Sequence, residues 1–167
     1  MTFKQNPILL LAVLFLFAGC GPVISQAVID EAQPDVLFGD LQRNTENYVG
    51  KSVLFGGTIV KVGNEPKGTW VEVLERPLGF RLEPMLDDQT GGRFLLVSDQ
   101  ILDEQIFTRG RKITVVGKVE GRETRPLDQI TYDYPVLRIR EYHLWPPGSR
   151  RGGGPDVFFS LGIFKSF

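Results

Sequence analysis

Cys20 and His143 are the only cysteine and the only histidine in the chain, and their isolation limits what they can do. One thiol closes no intramolecular disulfide. One thiol with one imidazole falls short of the four-ligand cage that structural zinc requires, so neither a metal nor a cofactor is expected. No recognisable motif places a Ser, Cys or carboxylate to make His143 a general base, and a packed or surface imidazole is the expectation. Carboxylate pairs occur at Glu72/Glu75, Asp87/Asp88 and Asp103/Glu104. Two carboxyl groups facing each other across a gap divide acid and base work in glycoside hydrolysis. Glu72 and Glu75, however, have an odd separation and point to opposite faces of a strand. Asp87/Asp88 lies in a Gly-rich connection, and Asp103/Glu104 near a helix start, where acidic residues suit the dipole. Solvated and capping roles are expected for all three pairs, and no enzyme is expected. The candidate ligand-binding residues are Trp70, Arg81 and Arg93, with Phe80, Arg109 and Arg111 nearby in sequence. An indole face stacks on a sugar and a guanidinium forks onto an anion, so a shared face would take a glycan or a lipid headgroup. The alternative is a core Trp70 with solvated arginines. A formal charge of -1, from 19 basic against 20 acidic residues, supplies no basic field, and nucleic acid is not expected as a partner.

Cys20 takes its meaning from what precedes it. Lys4 is the only charge before Asp30, and the apolar run from Ile8 to Ala18 follows it. A basic start, a short apolar stretch and small residues at its end describe an export signal. The run is shorter than the roughly 20 residues a membrane-spanning helix needs. Phe17-Ala18-Gly19-Cys20 resembles the lipobox of bacterial lipoproteins, in which the chain is cut before a cysteine whose sulfur carries diacylglycerol. That resemblance implies a leader over 1–19 and an acylated N-terminus at Cys20. It also implies attachment to the outer membrane through acyl chains, since Gly21 stands where Asp would signal inner-membrane retention. Two or more chains hold stably where one binds marginally.

The elements behind these residues are mainly strands. Residues 20–35 have no clear periodicity and read as the acylated N-terminus and a tether holding the domain off the bilayer. Within a domain over 36–147, strands are expected at Ser52–Val62, Thr69–Leu74, Phe94–Val97, Lys112–Glu120 and Tyr132–Trp145. Gly56-Gly57 marks a bulge or sharp bend in the first. Ile101, Leu102 and Ile106 have helical spacing and predict a short helix between strands 3 and 4. Five strands in this arrangement match a small OB-fold-like Greek-key barrel, with a β-sandwich as the alternative. Pro135 marks an edge, and Tyr48, Tyr132, Tyr134 and Trp145 either close a barrel end or dock a protein. Residues 148–167 form a Gly/Arg linker and an apolar tail that pairs with the domain, touches the bilayer or meets an envelope protein partner.

An ordered set of segments resembles the Slp family of outer-membrane lipoproteins. It runs Tyr48-Val-Gly50, Gly56-Gly57-Thr-Ile-Val60, Thr69-Trp-Val-Glu-Val73, Arg76-Pro-Leu78 and Gly92-Arg-Phe94. It continues through Ile101-Leu-Asp103, Gly110 to Gly117, Tyr132-Asp-Tyr-Pro-Val136 and Leu144-Trp-Pro146. The resemblance implies a lipid-anchored outer-membrane protein linked to starvation or stationary-phase physiology. It brings no catalytic residues.

Overall fold

The computed structural model describes residues 23–147. The chain enters through helix α1 (Gln26–Glu31), a two-residue strand β1 (Ala32–Gln33), helix α2 (Phe38–Arg43) and a 3-10 turn (Thr45–Tyr48). Five long strands follow: β2 (Ser52–Glu65), β3 (Gly68–Glu75), β4 (Arg93–Ser98), β5 (Lys112–Leu127) and β6 (Ile130–Leu144). Their order around the wall is β2-β3-β4-β6-β5, and β5 pairs back onto β2. One closed sheet therefore replaces the two faces of a sandwich. Neighbouring long strands run antiparallel except β4 and β6, which are parallel, as in an OB-fold-like barrel.

Alternation fills the barrel. Val53, Phe55 and Ile59 of β2 meet Val71 and Val73 of β3, Phe94 and Leu96 of β4, Ile113, Val115 and Val119 of β5, and Leu137 of β6. Phe38 of α2 stacks edge-on against Phe55 at 5.3 Å and closes the end where β3 finishes and β4 begins. Leu102 and Phe107 close the other end. The bend expected at Gly56-Gly57 is the corner at which β2 passes from β5 to β3. Gly57 pairs with both Ile113 and Glu75, and a Cβ on it would lie 2.1 Å from the Leu74 carbonyl oxygen.

Two expectations need correction. The helix expected between strands 3 and 4 is a single turn, in which the Ile106 and Phe107 amides both donate to the Asp103 carbonyl. Its entry is pinned from outside, because the Leu102 amide donates to Thr69 Oγ1 at 2.8 Å, and Ile101 and Ile106 stay exposed. The tether also ends earlier than expected. From Val23 onward the chain is docked: Ile24 and Ala32 are buried against Val116, with Leu54 alongside, and β1 adds to β2 in parallel.

The last two strands run further than expected. Arg122, Thr124 and Asp133 bond across the β5–β6 ladder, and the hairpin turns at Asp128-Gln129 with Asp128 in the left-handed region. β6 meets β4 only from Val136, so Pro135 stands where β6 has β5 on one side and no β4 partner on the other.

Candidate functional site

Alternation along β3 sends Val71, Val73 and Glu75 to one side of the wall and Trp70 and Glu72 to the other. The register places Glu72 opposite Leu95 and Trp70 opposite Val97, and aligns Leu95 with Val136 of β6. The outer wall of β3, β4 and β6 thus gathers Trp70, Glu72, Arg93 and Tyr134. Glu72 is its hub. Arg93 Nη1 donates to Glu72 Oε1 at 2.6 Å, and the Tyr134 hydroxyl donates to the same oxygen at 3.3 Å. The hydrogen bond to Glu72 holds the Arg93 guanidinium above its usual pKa. Burial, reinforced by the Glu72 charge, raises the Tyr134 phenol. Tyr132 packs on Tyr134 with ring centroids 4.7 Å apart, and its hydroxyl accepts from the Arg93 amide at 2.9 Å and from Gln42.

The far end of the β5–β6 hairpin lies over this wall. Arg125 brings its guanidinium carbon 4.6 Å from the Trp70 ring centroid, and Lys61 Nζ is 5.6 Å from it. The indole edge lies against Gly63, where a Cβ would come within 2.4 Å of the ring. A 360 Å³ hollow beside Trp70 is lined by Lys67, Val97, Asp99, Arg125 and Arg138. Arg93 borders a shallower 430 Å³ hollow beneath Leu127–Ile130. Neither Trp70 nor Arg93 is fully buried, and both are already engaged by the chain's own side chains.

Arg81 stands elsewhere. Its loop docks on β2 and β5, with Leu78 and Pro84 against Gly56 and the Leu82 carbonyl accepting from Thr114 Oγ1 at 2.6 Å. Of the three sequence-derived candidates, the fold brings two to one wall and separates the third. Glu72, Tyr134 and Arg125 complete the wall. Glu72 was foreshadowed by sharing its strand face with Trp70, whereas the approach of Arg125 depends on how the hairpin curls.

The remaining titratable groups have structural duties. Glu75 is buried, accepts from the Gly91 amide at 2.6 Å, and is raised by desolvation. Asp103 accepts from the Gln105 amide, Asp87 from the Gln89 amide, and Glu104 from Asn64. His143 lies edge-on to Trp145 at 4.7 Å, and burial, then the Arg111 charge, lowers its pKa. Among the described residues there is no cluster of three metal-ligating side chains, and no helix is long and apolar enough to cross a membrane. Cys20 lies outside the described residues.

The profile of the outer membrane lipoprotein Slp family matches residues 17–159. An uncharacterized lipoprotein, YeaY, of Escherichia coli (strain K12) is 32% identical over 98 residues, 59% of this chain and 50% of its own. An uncharacterized protein of Haemophilus influenzae is 31% identical over 96 residues, 57% of this chain and 52% of its own. The match spans about half the length of these curated relatives. A crystal structure of a putative aspartyl-tRNA synthetase from Leishmania major Friedlin aligns with 82% of this chain and 26% of its own. At 10% identity and a TM-score of 0.41, that likeness is too distant to carry an argument.

Proposed function

Because the chain belongs to the outer membrane lipoprotein Slp family, we propose that Cys20 is its acylation site and that the barrel acts in the cell envelope as a non-enzymatic binding and structural module. The observation that carries this reading is the chain's only thiol standing directly after Phe17-Ala18-Gly19, behind a short apolar run. Diacylglycerol on that sulfur and a further chain on the freed amine supply roughly 0.8 kcal/mol per buried methylene, enough for lasting attachment to the outer membrane. Residues 1–19 are then the leader, and the mature chain begins at Cys20.

The outer wall of β3, β4 and β6 supports the non-enzymatic part. Glu72, the hub of that wall, is ion-paired with Arg93 and hydrogen-bonded by Tyr134, so its Oε1 is engaged by the chain's own side chains. Trp70 is capped by Arg125, so the stacking face is engaged by the chain's own guanidinium, which supports an envelope protein partner over a glycan or headgroup on this wall. The link to starvation and stationary phase belongs to the same reading. Mass spectrometry of the mature N-terminus tests it. We expect a Cys20 peptide carrying diacylglycerol, and no such adduct on a Cys20→Ser protein. An unmodified Cys20 overturns the reading.

A further inference from the structure

The connection between β3 and β4 holds a side chain that the fold has no use for. Its first half is a locked turn: Leu78 bridges to Pro84, the Gly79 amide donates to the Glu83 carbonyl at 2.9 Å, and the Leu82 amide donates to the Gly79 carbonyl at 2.8 Å. Glu83 is ion-paired with the buried Lys112 at 2.7 Å, and Thr114 holds the Leu82 carbonyl. Leu82 adopts a φ of 61°, a conformation that branched and bulky residues avoid and that persists only where the surroundings enforce it. At the apex Phe80 is fully exposed, and Arg81 beside it has no ion-pair partner among the described residues. A mobile loop tip with one apolar residue is ordinary. A braced and strained turn that holds a phenylalanine away from the protein is not.

The position of this turn supplies the occupant. On the outer wall of β2 and β5, the Leu54–Val116 pair is covered by Ile24 and Ala32, and the next outward pair, Gly56–Thr114, by the Phe80 loop. The two coverings sit about 7 Å apart on one face, two residues along the same ladder. Val23 is three residues from Cys20, so even a fully extended chain carries the acylated sulfur only about 10 Å beyond the docked segment. Acylation at Cys20 would therefore hold the docked segment close to the bilayer, and the Phe80 turn stands on the wall that receives that segment.

We infer that the Phe80–Arg81 tip is a second membrane contact, a rigid peg that seats its aromatic ring among the lipid headgroups while Arg81 meets their phosphates. This rests on acylation at Cys20. The ring is held out before contact, so little ordering entropy is lost on insertion, and a planar guanidinium suits a phosphodiester. The experiment uses the full mature lipidated protein in vesicles of phosphatidylethanolamine and phosphatidylglycerol. Acylation consumes the Cys20 thiol, so Phe80→Cys supplies one free thiol for an environment-sensitive fluorophore. Ile130→Cys, on the β5–β6 turn over the other wall, is the comparator. We expect a blue-shifted emission and at least about twofold stronger quenching by brominated acyl chains at position 80 than at 130. Equal quenching at the two sites, on protein whose Cys20 carries diacylglycerol, overturns the peg while leaving the anchor intact. Burial of the label in native envelopes but not in protein-free vesicles also overturns it, in favour of a protein partner. An unmodified Cys20 overturns the anchor on which the inference stands.

Discussion

By its type Trp70 suits either a stacking platform or the core, and in the fold its face is occupied by Arg125. The pairing is a local, testable contribution. A guanidinium over an indole at a partly exposed site is worth roughly 0.5–1 kcal/mol, and Arg125 also covers the ring with its alkyl stem. Arg125→Ala should lower unfolding stability by about 1 kcal/mol and expose Trp70 to collisional quenchers, as Trp fluorescence would report. An unchanged quenching profile would mean that the cap is not formed in solution. Glu72 shows why residue type alone mislocates chemistry. Paired with Glu75 in sequence it suggests acid–base work, yet strand alternation sends the two carboxylates to opposite sides of the wall, one to Arg93 and the other to the Gly91 amide. That separation follows from parity and was legible in the sequence. The neutralisation of Glu72 by Arg93, from a different strand, was not.

At the scale of elements, the strands announced themselves wherever alternation was clean, as in Lys112–Glu120, and failed to where charge filled both faces. Residues 122–127 lack an apolar stripe, but they form strand in register with β6, and Arg122 and Thr124 both bond to Asp133 across the hairpin. The expected helix after β4 failed for a related reason: Thr69, remote in sequence, takes the Leu102 amide. Gly57 carries the opposite lesson, since its role was written locally. Gly57→Ala would push a Cβ into the Leu74 carbonyl at the corner that closes the barrel, and we expect a loss of about 3 kcal/mol in denaturant unfolding. A loss under about 1 kcal/mol would show that the corner relaxes freely. The N-terminal segment is held more weakly. The Ser25 hydroxyl donates to Glu141 Oε2 and the Ser25 amide to Oε1 at 2.7 Å, and these hydrogen bonds, the hydroxyl's foremost, depress the Glu141 carboxyl. A depressed folded pKa stabilises docking fully above the unfolded value, about 4.3, and the contribution disappears as pH falls through the folded value. Glu141→Gln should mimic low pH, reducing hydrogen-exchange protection of the α1 amides roughly fivefold at neutral pH while β5 stays protected. Equal protection in both proteins would assign docking to the apolar contacts of Ile24 and Ala32 and to the β1–β2 pairing.

For the whole molecule, the docked N-terminus sets what kind of anchor an acylated Cys20 would make. A tether reaching from Cys20 to Asp35 would let the barrel tumble above the bilayer, whereas docking from Val23 leaves a leash of three residues. Short leashes act by effective concentration. A contact too weak to hold a free protein on a surface becomes nearly permanent when the attachment point keeps it within reach, and it fades as the leash lengthens. One phenylalanine and one arginine are such a contact. The orientation of the barrel should therefore depend on leash length more than on any single side chain. Ten Gly/Ser residues inserted between Gly21 and Pro22 add a flexible span of about 17 Å. The insertion leaves Cys20 and the barrel unaltered, so membrane retention through an acylated Cys20 and unfolding stability should not change. Lipid quenching of a label at position 80 should fall severalfold toward that of a label at 130. Quenching that survives the insertion would show that the tip binds lipid strongly in its own right, and the short leash would then be incidental to how this protein sits on its membrane.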